Sequence, residues 1–193
     1  MTISLDEQYL PSEIQEILLT AYQIQARVAE LGAEISRDYR DLNPLLVGVL
    51  KGVIFFMADL LRAISTPVEV DFMAVSSYSA EARNRGLVRL VKDLEIPLTG
   101  RHVLFVEDVV DTGLTLNYLL NTLRTRDPAS LEVCTLFNKQ KHRLIEVNLS
   151  YVGFDLADKF VVGYGLDYRE KYRNLPYLGL LRPPKFPANH QDI

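Results

Sequence analysis

Three carboxylates, two threonine hydroxyls and one glycine fall within residues 107–115: Glu107 and Asp108 side by side, then Asp111, Thr112, Gly113 and Thr115. A threonine and a glycine just before a helix start leave backbone N–H groups and the positive end of the helix dipole facing one point, a cradle for phosphate. Carboxylates beside a phosphate repel it unless they hold something else. Sugar hydroxyls, which donate hydrogen bonds, and a divalent cation are the two guests that suit them, so charge alone points to a sugar phosphate carried with Mg2+. Asp111 has a second reading, as a cap of the following helix, a task asparagine would perform equally well.

Flanking elements must hold this turn in place. Val103 to Val106 is an unbroken apolar run, the pattern of a strand buried on both faces of a parallel sheet, and Leu116, Leu119, Leu120 and Leu123 give the following helix its apolar face. Upstream, Leu45 to Leu50 is a second apolar strand, followed at once by Lys51 and Gly52. A Lys-Gly turn at the carboxyl end of a parallel strand lies where open α/β sheets place ligands. Ser12 with Gln15 reads as a capping box, and Ile14, Ile17, Leu18, Ala21, Ile24, Val28, Leu31 and Ile35 recur at helical steps, so the spacing predicts one amphipathic helix over 12–39. Phe55 to Leu61 predicts a short helix, and further strands are predicted over 68–77, 87–91, 131–137, 152–154 and 160–163. The connector at 78–86, YSAEARNRG, is polar and without apolar anchors, which predicts a mobile, solvated loop. On these grounds alone Lys51 and Lys139 are exposed lysines at strand ends, and Phe160 is a core aromatic.

VLFVEDVVDTGLTL resembles the phosphoribosyl-pyrophosphate signature of the type I phosphoribosyltransferases. LLVGVLKGVIFFMADLLR (45–62), VDFMAVSSYS (70–79) and YVGFDLADKFVVGYGLDYREKYRNLPY (151–177) are similar, in order and spacing, to the bacterial hypoxanthine-guanine phosphoribosyltransferases. The resemblance implies the type I phosphoribosyltransferase fold, an α/β domain spanning 1–193. Its mostly parallel central sheet is flanked by helices, and parts of both termini form a small hood bearing the base-binding residues. It also implies a lid over 78–86 with Ser77 and Tyr78 at its base, although Glu81, Arg83 and Arg85 stand where related lids carry Gly and Ser.

The same resemblance assigns roles. Lys51 and Gly52 belong to a loop that touches pyrophosphate in a strained peptide conformation, and Arg173 neutralises the leaving pyrophosphate. Glu107 and Asp108 hold ribose hydroxyls and, with Asp167, the Mg2+. Val110, Asp111, Thr112, Gly113, Leu114 and Thr115 form the phosphoribosyl pyrophosphate loop, with Asp111 also facing the N7 proton of the base. Lys139 donates to the purine 6-oxo group, Phe160 lies over the purine ring, backbone groups near Val161 read its edge, and Asp167 lies beside the base. The implied reaction is Mg2+-dependent transfer of 5-phosphoribosyl to N9 of hypoxanthine, guanine or xanthine, which is purine salvage. A dimer or tetramer is implied, with the Phe55-Phe56 helix as one candidate interface.

Composition narrows the alternatives. The chain of 193 residues is 48% hydrophobic and 24% charged, enough for one domain with a core. A net charge of −4 argues against a protein built to coat nucleic acid, and weighs against a regulatory RNA-binding protein on the same fold. Cys134 is the sole cysteine, which excludes an intrachain disulfide and fits a reducing cytoplasm. The N-terminal residues lack the pattern of a signal peptide, and no window has the length of a membrane span, so a cytoplasmic protein is expected. Neither GxxxxGK[ST] nor GxGxxG occurs, and His102, His142 and His190 have no metal-ligand spacing. A receiver-like phosphorelay domain also carries an acidic pair near a strand end, but gives no reason for the Lys-Gly turn or for DTGLT.

Overall fold

The computed structural model describes residues 10–77, 88–141 and 143–182; Tyr78, the connector at 78–86 and the C-terminal tail lie outside these. Strands β2 (Leu45–Leu50), β3 (Glu69–Ser77), β4 (Val88–Lys92), β5 (His102–Val110), β6 (Ser130–Lys139) and β7 (Tyr151–Leu156) form a sheet in the order β4-β3-β2-β5-β6-β7. All neighbours pair in parallel except β3 and β4, which are antiparallel at one edge. Parallel pairing sends the carboxyl ends of β2, β5 and β6 to the same edge, so Lys51, Glu107–Asp111 and Lys139 meet although nearly ninety positions separate the first from the last.

The apolar runs of β2 and β5 divide by strand periodicity into two cores. Leu46, Leu104 and Val106 pack with Ile24, Val28, Leu31 and Ile35 of α1 (Ala21–Asp38) and with Phe56 and Leu60 of α2 (Ile54–Ala63). Leu45, Val47, Val103 and Phe105 face the other way, onto Leu116, Leu119, Leu120 and Leu123 of α3 (Leu114–Arg124). In α2, Phe56 is fully buried while Ile54 and Phe55 lie outward.

A second sheet, β1 (Ile14–Leu19), β9 (Leu178–Leu181) and β8 (Val161–Val162) in that order, makes the hood. Its own core holds Ile14, Val162, Leu175, Tyr177 and Leu181. The helix expected over 12–39 is therefore two elements. Ile14 to Leu19 pair antiparallel with Leu178 to Leu181, and the helix begins only after Thr20. The capping box is Thr20 with Gln23, whose side chain accepts from Thr20 N at 2.9 Å, while the Ser12 hydroxyl turns to Glu13. Hydrophobics at 14, 17 and 18 satisfy a helical period, but burial against β9 decides in favour of a strand.

Candidate functional site

At the end of β5 the chain turns from Val110 into α3 through Asp111, Thr112 and Gly113. Gly113 is the N-cap residue with φ +81°, and no side chain caps the helix; Thr112 Oγ1 only approaches Leu114 N, at 3.4 Å. A Cβ on Gly113 would also overlap the Ile145 carbonyl, so glycine is required on both counts. The capping role considered for Asp111 is thus not used. Its carboxylate is exposed, and the helix mouth keeps backbone donors for a ligand.

Glu107, Asp108, Val110, Asp111, Thr112, Gly113 and Thr115 share a cleft of about 390 Å3 with Gly52. Two larger hollows, of about 510 and 540 Å3, lie beside Lys141 and Asp158 and along the outer face of α3; neither includes the acidic pair. The chemistry therefore identifies the smaller one. Burial, with the charge of Asp108 alongside, holds the Glu107 carboxyl well above the ordinary range. Burial raises Asp108 as well, outweighing the Val109 amide, which donates to its Oδ1 at 2.7 Å, and the attraction of Arg173. Two half-buried neighbouring acids of this kind suit a cation or hydroxyl donors.

Asp108 also fixes the loop after β2. The Leu50–Lys51 peptide is cis, and any Cβ at Gly52 would overlap Asp108 Oδ2. From the hood side, Gly165 (φ +101°) stands so close that a Cβ there would overlap the Gly52 carbonyl. The segment that follows brings Arg173, whose guanidinium pairs with Asp167 Oδ1 at 2.8 Å and donates to the Gly165 carbonyl at 2.8 Å. Its Nε is buried and without a protein partner. Glu170 bridges Lys51 (3.1 Å) and Arg173 (3.4 Å), so a carboxylate sits between the two cations assigned to pyrophosphate. Hydrogen bonding to Lys51, with the nearby charge of Arg173, keeps Glu170 below the usual carboxylate range.

On the third side, Lys139 at the end of β6 donates from Nζ to the Lys159 carbonyl at 2.9 Å, reaching the residue before Phe160. Phe160 is 56% exposed and is no core aromatic; Tyr168 meets it edge-on, with ring centroids 5.7 Å apart. That contact holds the ring while leaving a face open. Val161 pairs with Leu180, which anchors the backbone beside it.

Residues 15–169 match the family model described as phosphoribosyl transferase domain. The chain belongs to the phosphoribosyltransferase family. Among phosphoribosyltransferases it is 54% identical over 179 residues to a hypoxanthine-guanine phosphoribosyltransferase of Mycobacterium avium, covering 90% of this chain and 88% of the relative. A hypoxanthine-guanine phosphoribosyltransferase of Bacillus subtilis is 47% identical over 171 residues, covering 89% and 95%. The crystal structure of a hypoxanthine-guanine phosphoribosyltransferase from Bacillus anthracis superposes with a TM-score of 0.85 at 40% identity, covering 88% of this chain and all of that one.

Within this phosphoribosyltransferase the expected residues gather from four segments: Lys51 and Gly52 after β2, 107–115 across β5 and α3, Lys139 after β6, and Phe160 to Arg173 from the hood. Ser77 ends β3, and Tyr78 lies outside the described residues. Among the described residues no three His, Cys, Asp or Glu side chains stand close enough to hold a metal by themselves. Asp167 is taken up by Arg173, although its charge is still felt at Asp108. The sequence reading missed Glu170 and Arg143. Glu170 gave no signal because its partner Lys51 is 119 positions away.

Proposed function

We propose that this phosphoribosyltransferase moves 5-phosphoribosyl from phosphoribosyl pyrophosphate to N9 of a 6-oxopurine, hypoxanthine or guanine and by extension xanthine, as a step of purine salvage. The observation that carries the reading is one cleft in which an uncapped helix mouth adjoins a half-buried acidic pair. The helix mouth suits the 5′-phosphate, and Glu107 and Asp108 suit ribose hydroxyls. Lys51 and the guanidinium of Arg173 suit pyrophosphate, and the open face of Phe160 beside Lys139 suits a purine with a 6-oxo acceptor.

The donor set fits Mg2+. It offers hard carboxylate oxygens whose pKa values partial burial raises, yet fewer than a full shell, which matches an ion that takes one or two carboxylates and completes its octahedron with phosphate oxygens and water. When bound there, Mg2+ would neutralise charge on the departing pyrophosphate. The residues do the rest. The C1′–oxygen bond to pyrophosphate breaks as the C1′–N9 bond forms, and Arg173 and Lys51 receive the growing negative charge. The purine must lose an imidazole proton, and Asp111, exposed at the cleft rim, is placed to take it or to stabilise the positive charge developing on the base. Lys139 holds the 6-oxo group.

The reading extends to a cytoplasmic homodimer or homotetramer, assembled through the outward Ile54 and Phe55 of α2, and requires no nucleic acid or membrane. Among the described residues no helix is long and apolar enough to cross a membrane. The test is release of pyrophosphate from phosphoribosyl pyrophosphate with guanine and Mg2+. Base-dependent turnover is expected; its absence with guanine, hypoxanthine and xanthine alike would refute the assignment.

A further inference from the structure

Beyond the last ladder pairs, Val110 with Asn138 on β5 and β6, the two strands part, and the residues that follow are Asp111 and Lys139. Nothing in the sheet fixes the gap between them. Arg143 spans it. Its Nε donates to the Asp111 carbonyl at 2.9 Å, and one terminal nitrogen donates to Asn138 Oδ1 at 2.5 Å, with the carbonyls of Lys139 at 3.4 Å and Val110 at 3.5 Å also in reach. The side chain of Asn138 is itself locked: it is buried, and its Nδ2 donates to Asp155 Oδ1 at 2.7 Å, which Gln140 also donates to at 3.1 Å. The two residues after Arg143 complete the clamp, since the amides of Leu144 and Ile145 both donate to the Thr112 carbonyl, at 2.9 and 3.2 Å.

We propose that Arg143 is a positioning residue that sets the spacing between the Asp111 carboxylate and the Lys139 ammonium, and so matches the cleft to the N7–O6 edge of a 6-oxopurine. This rests on the functional reading above. The guanidinium suits the task because its planar fork donates in several fixed directions at once, and it binds backbone carbonyls on both sides of the fork in the sheet. Bonds to the main chain carry over to the side chains, because Asp111 lies one residue beyond the end of β5, and Lys139, the last residue of β6, is paired only with Leu156 of β7 and has no partner on the β5 side. Arg143 touches no substrate in this scheme; it acts through the other two.

The experiment compares Arg143→Lys, which keeps the charge without the fork, and Arg143→Ala, with wild type. It measures kcat/KM for hypoxanthine and for unsubstituted purine, which offers Lys139 no 6-oxo acceptor. Misplacement by about an ångström costs on the order of 10²-fold, so hypoxanthine kcat/KM is expected to fall by about tenfold or more while purine falls less, reducing the ratio of the two. Phosphoribosyl pyrophosphate affinity is expected to hold, and guanidinium ion added to Arg143→Ala is expected to restore hypoxanthine turnover in part. A hypoxanthine-to-purine ratio unchanged from wild type in a folded variant overturns the assignment. Loss of folding in both variants also overturns it, leaving Arg143 a structural brace. Should wild-type protein turn over no 6-oxopurine at all, the functional reading fails, and this assignment fails with it.

Discussion

Asp71, near the start of β3, is 8% exposed, and its carboxylate accepts from the backbone amides of Phe72 (2.7 Å), Glu95 (2.7 Å) and Ile96 (3.0 Å), with Lys92 Nζ at 3.5 Å. It thereby ties the start of β3 to the chain just after β4, at the end of this strand pair opposite the connector. Replacing it by alanine leaves those amides without their acceptor. Hydrogen bonds to a charged group contribute roughly 1.5–3 kcal/mol each, but Phe72 is its immediate neighbour and Glu95 lies where water can reach, so a loss of about 3 kcal/mol is expected for Asp71→Ala. Asp71→Asn, which keeps one acceptor oxygen, should lose about half of that. Burial by itself would raise the Asp71 pKa, but the Ile96, Glu95 and Phe72 amides and Lys92 together outweigh it, and the carboxyl lies below its usual range. The unfolded chain, with a carboxyl pKa of about 3.9, then binds more protons than the folded one in this window. The stabilisation is accordingly complete above the unfolded value and is lost as pH falls through the folded value. Urea titrations at pH 7 and down to pH 3 would test both parts: the alanine variant should be less stable at neutral pH and show a flatter acid limb. A loss at pH 7 below about 1 kcal/mol, or an acid limb parallel to wild type, would refute the reasoning.

Three further outcomes are expected. Asp111→Asn should lower single-turnover kcat by about 10²- to 10⁴-fold with little change in melting temperature, since the side chain is exposed and does not cap α3; near-normal single-turnover rates would remove Asp111 from the chemistry. Gly165→Ala should abolish phosphoribosyl pyrophosphate binding, because φ +101° and the Gly52 carbonyl both exclude a Cβ there; a variant with wild-type affinity by calorimetry would show that the hood and the pyrophosphate loop move apart freely. Glu170→Gln should tighten binding of pyrophosphate with Mg2+ several-fold at low salt and less at high salt, since it removes a competing anion from between Lys51 and Arg173; unchanged or weaker binding in a titration at both salt concentrations would count against that.

What could be read from the sequence was local. Glu107 to Thr115 announced a ligand site because the strand, the acids, the turn and the helix are contiguous, and the apolar runs of β2 and β5 betrayed strands covered on both faces. What escaped was decided by distant partners. Thr20 with Gln23 and Ser12 with Gln15 are equally good capping boxes on paper; only β9, more than 150 positions downstream, selects the first by drawing Ile14 to Leu19 into a sheet. Phe160 looked like core because its exposure depends on Tyr168 holding it edge-on at the mouth of the hood. Arg143 had no motif at all, since the groups it binds are mostly main-chain carbonyls, and any sequence supplies those.

The two cations proposed to take pyrophosphate are already partnered in the free protein: Lys51 with Glu170, and Arg173 with Asp167 and Glu170. On the proposed reading, a pyrophosphate does not meet bare cations; it exchanges a protein carboxylate for its own oxygens, and its affinity is the difference between the two pairings. That difference grows as negative charge accumulates on the leaving group, whereas the charge on Glu170 stays fixed. The cost of releasing Glu170 is the same for ground state and transition state, so an internal anion at this place lowers affinity for both alike. The acidic pair is unlike these cations. Partial burial, with the charge of Asp108 alongside, disfavours the ionised Glu107, so on the proposed reading a cation or ribose hydroxyls at this pair relieve a conflict instead of replacing a partner. The site thus combines a part satisfied in the free protein with a part that is not, and on the proposed reading the second is where Mg2+ and the sugar gain most.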